Sequence, residues 1–265
     1  MTRTAVQHVA RYLVDGVPCV GRRDGDRLVR LDRAPWLGGT ETGVTDLAAA
    51  VRWLPPVTPS KIVCVGLNYR AHIAESVSVL PGTRSSEEPL LFLKPPSALI
   101  ASGEAIRYPA SVTRLDPEAE LAVVIGTRAV AVGEVEAMAH VAGVTAFNDV
   151  SARNHQRADG QWTRAKGFDT FAPLGPWVAV GLSPDALSVS CRVNGEPRQH
   201  GNTHDLIVPV ARLVSFISRI MTLEPGDVIA TGTPAGIAPV VVGDVIEVEV
   251  EGVGVLVNHV EGSPA

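Results

Sequence analysis

The sequence reads as an α+β chain in which strands outnumber helices and do not alternate regularly with them. That irregularity argues against a doubly wound sheet. Short apolar runs bounded by Gly, Pro and Asp recur along the 265 residues, and a single long stretch carries helical spacing.

Near the start, Arg11-Tyr12-Leu13-Val14 and Val17-Pro18-Cys19-Val20 flank Asp15-Gly16, the signature of a hairpin. Asp24-Gly25-Asp26 makes a further turn before Leu28-Val29-Arg30-Leu31. A short helix is expected over Thr45 to Leu54, with Thr45 as N-cap and Pro55-Pro56 as its stop. That proline pair marks a boundary, with a small N-terminal domain over 1–57 and the main domain over 58–265.

In the main domain, Lys61 to Gly66 is a short apolar strand. The stretch between Glu75 and Pro89, rich in Ser and Glu, is expected to be a mobile loop. Leu121 to Ile125 is a wholly apolar strand closed by Gly126, and Glu134 to Ala142 has the composition of a short helix. Leu206, Val210, Leu213, Val214, Ile217, Ile220 and Met221 recur at three and four residues, one face of a helix that stops before Pro225-Gly226. Val228 to Ala230, the period-two run Val245 to Val250, and Val255 to Val257 beyond Gly252 and Gly254 close the chain as strands.

Hydrophobic residues make up 46%, and the net charge is −5 without any basic stripe, which excludes a nucleic-acid surface. No apolar run approaches the ~20 residues of a membrane-spanning helix. Met1 to Asp15 lack the apolar core of a signal peptide. Cys19, Cys64 and Cys191 are single and scattered, so they read as buried thiols of a reducing cytoplasm, where the protein is expected to reside.

Several segments carry chemistry-bearing side chains. Glu118-Ala119-Glu120 leads into the apolar strand, and residues two apart on a strand share a face, so the two carboxylates project together. Such a pair is either solvated at the strand mouth or held around a cation. Asp149, in Asn148-Asp149, is a turn residue or a third carboxylate; three oxygen ligands favour a hard ion, Mg²⁺ or Mn²⁺. Lys166 lies in the aromatic segment Trp162 to Phe171 and either snorkels or faces an anionic substrate. Three carboxylates, one divalent cation and one lysine sum to zero charge, which makes a buried cluster feasible. His72 and Glu75, three apart on a helical turn, are a surface pair or an oriented general base. Thr231 to Gly236 is a Gly-rich turn able to receive an anion, but it is not a phosphate loop.

Together these segments resemble the fumarylacetoacetate hydrolase (FAH) family. Nine motifs stand in the family's order between about Lys61 and Val260: Gly66-Leu67-Asn68-Tyr69-Arg70 with His72 and Glu75, Phe92-Leu93-Lys94-Pro95, Glu118 to Gly126, Asn148 to Arg153, Lys166 to Thr170, Val193 to Glu196, Gly201-Asn202-Thr203, Pro225-Gly226-Asp227 and Thr231 to Pro234. The resemblance implies an FAH-type mixed β-sandwich or roll, a homodimer, and Mg²⁺ or Mn²⁺ in a cleft. It implies Glu118, Glu120 and Asp149 as metal ligands, and Lys166 as the lysine polarising the substrate carbonyl. His72 with Glu75 becomes the pair that activates water or moves a proton, and Arg153, Gln156 and Thr233 line the substrate site. Three departures stand out: Asn154 occupies a place where many relatives carry an acid, His204 one where a small residue is usual, and the loop from Ser76 to Glu88 is long.

The activity implied is metal-dependent cleavage of a carbon–carbon bond in an acylpyruvate-like or other β-dicarbonyl substrate, by way of a metal-bound enolate. An oxaloacetate-type decarboxylase or an isomerase of unsaturated 2-oxo diacids would use the same residues. A non-enzymatic protein binding metal and oxo acid is the reading from another class, disfavoured because every catalytic position is filled. The partner is in each case a small 2-oxo acid or β-dicarbonyl compound.

Overall fold

The computed structural model describes residues 5–76 and 88–263; nearly all of the long loop noted above lies outside them. The N-terminal region contributes strands β1 (Gln7–Val14), β2 (Val17–Asp24), β3 (Arg27–Leu31), β4 (Glu41–Leu47) and β5 (Arg52–Leu54). Asp15 and Gly16 both take positive φ, at 51° and 78°, the tight turn that matches strand twist in a two-residue hairpin.

The sequence expectation fails between Thr45 and Leu54. No α-helix forms there; β4 runs on to Leu47, a single 3₁₀ turn covers Ala48–Ala50, and β5 follows. Tertiary pairing overrides the helix propensity of the three alanines. Thr45 sits opposite Val29 in the β3–β4 ladder, and Leu54 opposite Arg11 in the β1–β5 ladder. Asp46 is held on this sheet by two guanidinium nitrogens of Arg30, Nε and Nη2, and by the Tyr12 hydroxyl.

The main body continues with β6 (Ile62–Gly66), α1 (Arg70–Ser76), β7 (Leu90–Lys94), β8 (Leu99–Ile100), β9 (Ile106–Tyr108), β10 (Leu115–Asp116) and β11 (Ala119–Ile125). Then come α2 (Glu134–Ala137), β12 (Val141–Asn148), β13 (Ser151–Ala152), α3 (Arg153–Asp159), α4 (Thr163–Lys166) and β14 (Ala172–Val180). The chain ends with β15 (Ser188–Val193), β16 (Glu196–Asn202), α5 (Val210–Ile220), β17 (Val228–Ala230), β18 (Val245–Val250) and β19 (Gly254–Gly262).

Two expected helices are shorter than their patterns. The one begun at Glu134 turns 3₁₀ at Met138–His140 and yields to β12 at Val141, whose residues pair with β11. The other starts at Val210 rather than Leu206, because Pro209 fixes an extended N-cap ahead of it.

The large mixed sheet runs β4-β3-β2-β1-β14-β12-β11-β17-β6-β7, so pairing of β1 with β14 carries it from the N-terminal region into the body. Every residue of β11 is buried. Leu121, Val123 and Ile125 enter one core, while Ala122 and Val124 enter a second core on the opposite face. That two-sided burial is why the strand reads as a continuous apolar run. The sheet β16-β15-β18-β19-β9 and the apolar face of α5 (Val210, Leu213, Val214, Ile217) cover the first core, giving the sandwich-like body. All three cysteines are buried and unbridged.

The parallel pair β6–β17 is pinned by Asp227, which is fully buried. Its carboxylate accepts the Ser60 N–H (2.9 Å) and hydroxyl (2.7 Å), the Lys61 N–H (3.2 Å) and ammonium, and the Glu224 N–H (2.8 Å). Burial alone would raise this carboxyl, but the bonds from Lys61, Glu224 and Ser60 outweigh it and hold it below the ordinary carboxylate range. A depressed native pKa contributes stability that is present above the unfolded value near 3.9 and is lost as pH falls through the native one. Asp227→Asn is therefore expected to cost about 2–3 kcal/mol at pH 7. In denaturant titrations the gap between wild type and variant should narrow as pH falls below the unfolded carboxylate value of about 3.9; a gap independent of pH would contradict this account.

Candidate active site

At the start of β11 the strand presents carboxylates instead of apolar groups. Glu118, Glu120 and Asp149 are 4%, 2% and 1% exposed, and each offers an oxygen within 4.8 Å of the other two. Glu118 and Glu120 lie on one side of β11, as the two-residue spacing requires, and Asp149 follows the partner strand β12 across the ladder pair Ala119–Asn148. The Asn148 amide oxygen accepts the Glu118 N–H, and the Asp149 N–H donates to the Glu118 carbonyl, so the backbones that carry the acids are locked together.

Three cations balance them. Lys166, at the end of α4, donates to Glu118 Oε2 (2.7 Å) and Asp149 Oδ2 (2.6 Å). Its ammonium also faces the rings of Phe92 and Trp162, 5.0 and 6.0 Å from their centroids. Arg153, the first residue of α3, reaches Glu118 Oε1 (2.5 Å), Asp116 Oδ2 (2.9 Å) and the Gln156 amide oxygen (2.9 Å). Lys94, at the end of β7, donates to Asp149 Oδ1 (2.6 Å) and the Val150 carbonyl (3.0 Å).

This field treats the acids differently. Burial would raise Glu118, but Arg153, Lys166 and His72 hold it far below the usual range. Glu120 is pushed well upward by burial and by the negative charges of Asp149 and Glu118, and the Gly232 N–H (2.8 Å) only partly opposes that. Burial would lower Lys166, yet Asp149 and Glu118 raise it. Gly232 can approach Glu120 because it has no side chain. Its φ is 104°, and a Cβ there would lie 2.8 Å from the Cβ of Asn68.

His72 stands on α1 at the rim, with Nε2 3.9 Å from Glu118 Oε1 and Nδ1 3.5 Å from Glu75 Oε2. Glu75 accepts the Gly236 N–H at 3.1 Å, which ties α1 to the loop after β17. Burial would raise Glu75, but the hydrogen bonds from His72 and Gly236 lower it. Thr233 donates its hydroxyl proton to the Ala119 carbonyl and accepts from the Gln199 amide, so that hydroxyl braces β11.

Of the nine residues singled out from sequence, His72, Glu118, Glu120, Asp149, Arg153, Gln156, Lys166 and Thr233 line one cavity together with Val65, Phe92, Trp162 and Ile237. Glu75 stands beside His72, outside that lining. His204 is not at the cavity; it pairs with Asp205 at the surface and borders a second cleft with Tyr69, Arg70 and His200. Asn154 clamps the loop before β10, accepting the Thr113 N–H and donating to the Ser111 carbonyl, a pairing that a carboxylate could not complete. Sequence reasoning assigned no role to Lys94, Asp116 or Gln199. Lys94 was visible within the motif Phe92 to Pro95, as a lysine at the end of the apolar run Leu90 to Leu93, whereas nothing local distinguishes the other two.

The donor set fits a divalent cation. All three ligand groups are hard oxygens on rigid backbone, and Glu120 lacks a side-chain cation of its own among the described residues. Glu118→Gln should weaken Mn²⁺ binding at least about 100-fold by calorimetry or electron paramagnetic resonance. The exposed Glu136→Gln should leave it unchanged, and equal affinities in the two variants would refute the assignment.

Comparison with known proteins places this geometry. The model for the fumarylacetoacetate (FAA) hydrolase C-terminal domain matches residues 61–261, and a model described as Rv2993c-like, N-terminal, matches residues 7–56. The mitochondrial oxaloacetate tautomerase FAHD2A of Bos taurus is 43% identical over 79% of this chain and 69% of its own. The crystal structure of 2-hydroxyhepta-2,4-diene-1,7-dioate isomerase from Mycobacterium marinum superposes with TM-score 0.89 at 37% identity, covering 98% of this chain and all of that one. Maleylpyruvate hydrolase from Sphingobium sp. SYK-6, in complex with manganese(II) and pyruvate, superposes with TM-score 0.79 at 28% identity, covering 97% of this chain and all of that one.

Proposed function

The chain belongs to the fumarylacetoacetate hydrolase family, and from that membership we propose that it is a divalent-metal-dependent enzyme. Its substrates are small 2-oxo acids or related β-dicarbonyl compounds, handled through their enolates. The observation that carries this reading is the position of His72: an imidazole beside Glu75 that overlooks a buried triad of carboxylates.

Glu118, Glu120 and Asp149 would hold Mg²⁺ or Mn²⁺, which when bound polarises the substrate carbonyl and stabilises negative charge on its oxygen. With its Nδ1 proton turned toward Glu75, His72 keeps the lone pair of Nε2 toward the cavity. From there it removes the proton from the carbon next to the carbonyl. Lys166 adds a fixed positive charge for the enolate oxygen, and Phe92 and Trp162 shield that charge from water, which strengthens it. Arg153 and Gln156 face the same cavity, but the guanidinium is committed to Asp116 and Glu118, so its first role is to hold Glu118 in place.

Return of the proton to oxygen or to another carbon completes a tautomerisation or isomerisation, the reaction these residues accomplish without a second base. The names of the bovine and M. marinum relatives favour it. Hydrolysis of a carbon–carbon bond in an acylpyruvate-like substrate is the second reading. It is favoured by the pyruvate in the Sphingobium hydrolase structure, pyruvate being a fragment such a cleavage releases. There His72 would take a proton from water for its attack on the remote carbonyl, the bond would break to give a carboxylic acid and the enolate of pyruvate, and that enolate would take the proton back at carbon. Loss of CO₂ from oxaloacetate needs no water and would bypass His72 in part. A homodimer, implied by the family resemblance, and a cytoplasmic location, read from the single scattered cysteines, belong to the same proposal.

Mg²⁺-loaded protein should be offered oxaloacetate and acetylpyruvate, with enol absorbance and proton NMR followed together. Accelerated keto–enol interconversion is the expected result, and His72→Ala should slow it by about 10²–10⁴-fold. Acetate plus pyruvate from acetylpyruvate would select the hydrolase, and pyruvate plus CO₂ from oxaloacetate the decarboxylase. Undiminished turnover in His72→Ala would remove the histidine from the mechanism.

A further inference from the structure

We infer that Lys94 is a positioning residue that fixes which oxygen of Asp149 is offered to the metal, and so selects a small octahedral cation over Ca²⁺. The inference rests on the divalent-metal site proposed above. Lys94 does not line the cavity; its side chain is wholly buried behind Asp149 at the end of β7. An ammonium buried to that degree persists only where it is paired, and its two partners are Asp149 Oδ1 at 2.6 Å and the Val150 carbonyl at 3.0 Å. Both belong to the turn after β12, so the side chain fixes the backbone and the carboxylate together.

The consequence lies in the number of oxygens left. A charge-assisted bond on Oδ1 holds that oxygen back, and Asp149 is left with Oδ2, which it shares with Lys166. Its neighbours are restrained in the same way. Glu118 Oε1 is taken by Arg153, Glu118 Oε2 by Lys166, and Glu120 Oε2 by the Gly232 N–H. None of the three carboxylates thus has both oxygens free to chelate, and the oxygens facing the site on Glu118 and Asp149 are those shared with Lys166; this suits Mg²⁺ or Mn²⁺, which accept six ligands in an octahedron and keep places for water or substrate. Ca²⁺ wants six to eight oxygens at longer distances and commonly gains them from carboxylates that chelate with both atoms. Lys94 denies it the chelating form of Asp149. The ammonium also lowers the net negative charge of the site, which weakens every divalent cation alike.

The two effects separate in a ratio. Lys94→Met keeps the length and apolar stem of the side chain and removes the charge. Mn²⁺ and Ca²⁺ affinities are measured on the whole protein by electron paramagnetic resonance of Mn²⁺ with Ca²⁺ as competitor, alongside circular dichroism to verify folding. In the variant the preference for Mn²⁺ over Ca²⁺ should narrow by about 10-fold or more, whatever happens to the absolute affinities. A folded Lys94→Met protein that binds Mn²⁺ with the wild-type ratio overturns the role of Lys94 and leaves the metal site standing. Should the variant fail to fold, a Mn²⁺-soaked wild-type crystal decides: Asp149 ligating through one oxygen with Lys94 on the other supports the inference, and a chelating Asp149 overturns it. Wild type that binds no Mn²⁺ would overturn the metal reading and this inference together.

Discussion

Four carboxylates taken out of water at one end of a sheet are the constraint around which the rest of this molecule is arranged. Asp116, Glu118, Glu120 and Asp149 are each less than 5% exposed. Uncompensated, buried charges of one sign would be prohibitive, so the fold must bring cations to them. It does so from elements far apart in sequence: Lys94 from β7, Arg153 from α3 and Lys166 from α4. Arg114 completes the set from beside Asp116. Site and scaffold therefore stabilise each other, because the salt bridges of Lys94, Arg153 and Lys166 also join separate pieces of backbone. Glu120 stands apart, with burial and like charge pressing it toward the neutral form, and the Gly232 N–H and the charge of Lys166 only partly opposing them. That imbalance marks the point in the cluster where a further positive charge is most favourable.

The scaffold meets the constraint with a strand that has no wet face. Alternate residues of β11 feed two different cores, so the strand cannot tilt or slip without disturbing both. Gln199 and Thr233 then fasten its first residue. The amide oxygen of Gln199 receives the Ala119 N–H while its nitrogen donates to Thr233, and Thr233 returns a bond to the Ala119 carbonyl. Such bracing from β16 and the loop after β17 holds the two glutamates to a spacing that side-chain rotation alone would not preserve.

Much of this was legible in the sequence, and the reasons are physical. The carboxylate pair was readable because strand periodicity is strict, and the apolar run after it could only be a buried strand. Asp149 and Lys166 came from motif order; spacing could not have shown that residues 31 and 48 positions from Glu118 would meet it. Lys94 stood in one of the motifs and carried a local signal, a charge at the end of an apolar strand, from which no role was drawn. The helix expected at Thr45 to Leu54 failed for a complementary reason. Local propensity favoured it, but the ladder partners on β1 and β3 lie some tens of residues away, and no window of that width contains them. Asp116 and Gln199 were invisible because their roles exist only through partners brought in by the tertiary fold.

The division of labour within the site also explains why one set of motifs is compatible with several reactions. Everything that stabilises an enolate is built into the rigid sheet and its buried salt bridges, and none of it distinguishes a departing acyl group from a departing proton. Under the proposed mechanism, what decides the outcome is which atom next meets a proton or water, and that depends on His72 of α1. Among the described residues, α1 and the turn before it meet the scaffold through the Glu75–Gly236 contact, the Asn68 amide bonds to the Val208 and Thr231 carbonyls and from the Val208 N–H, the Ile207 N–H to the Asn68 carbonyl, and the bridge between Tyr69 and Leu206. These contacts stand outside the ladders of the large sheet. Under the proposed mechanism, reaction specificity rests on α1, and chemical competence on the buried carboxylate cluster. Substitutions around α1 would redirect the intermediate, whereas substitutions in the carboxylate cluster would prevent its formation.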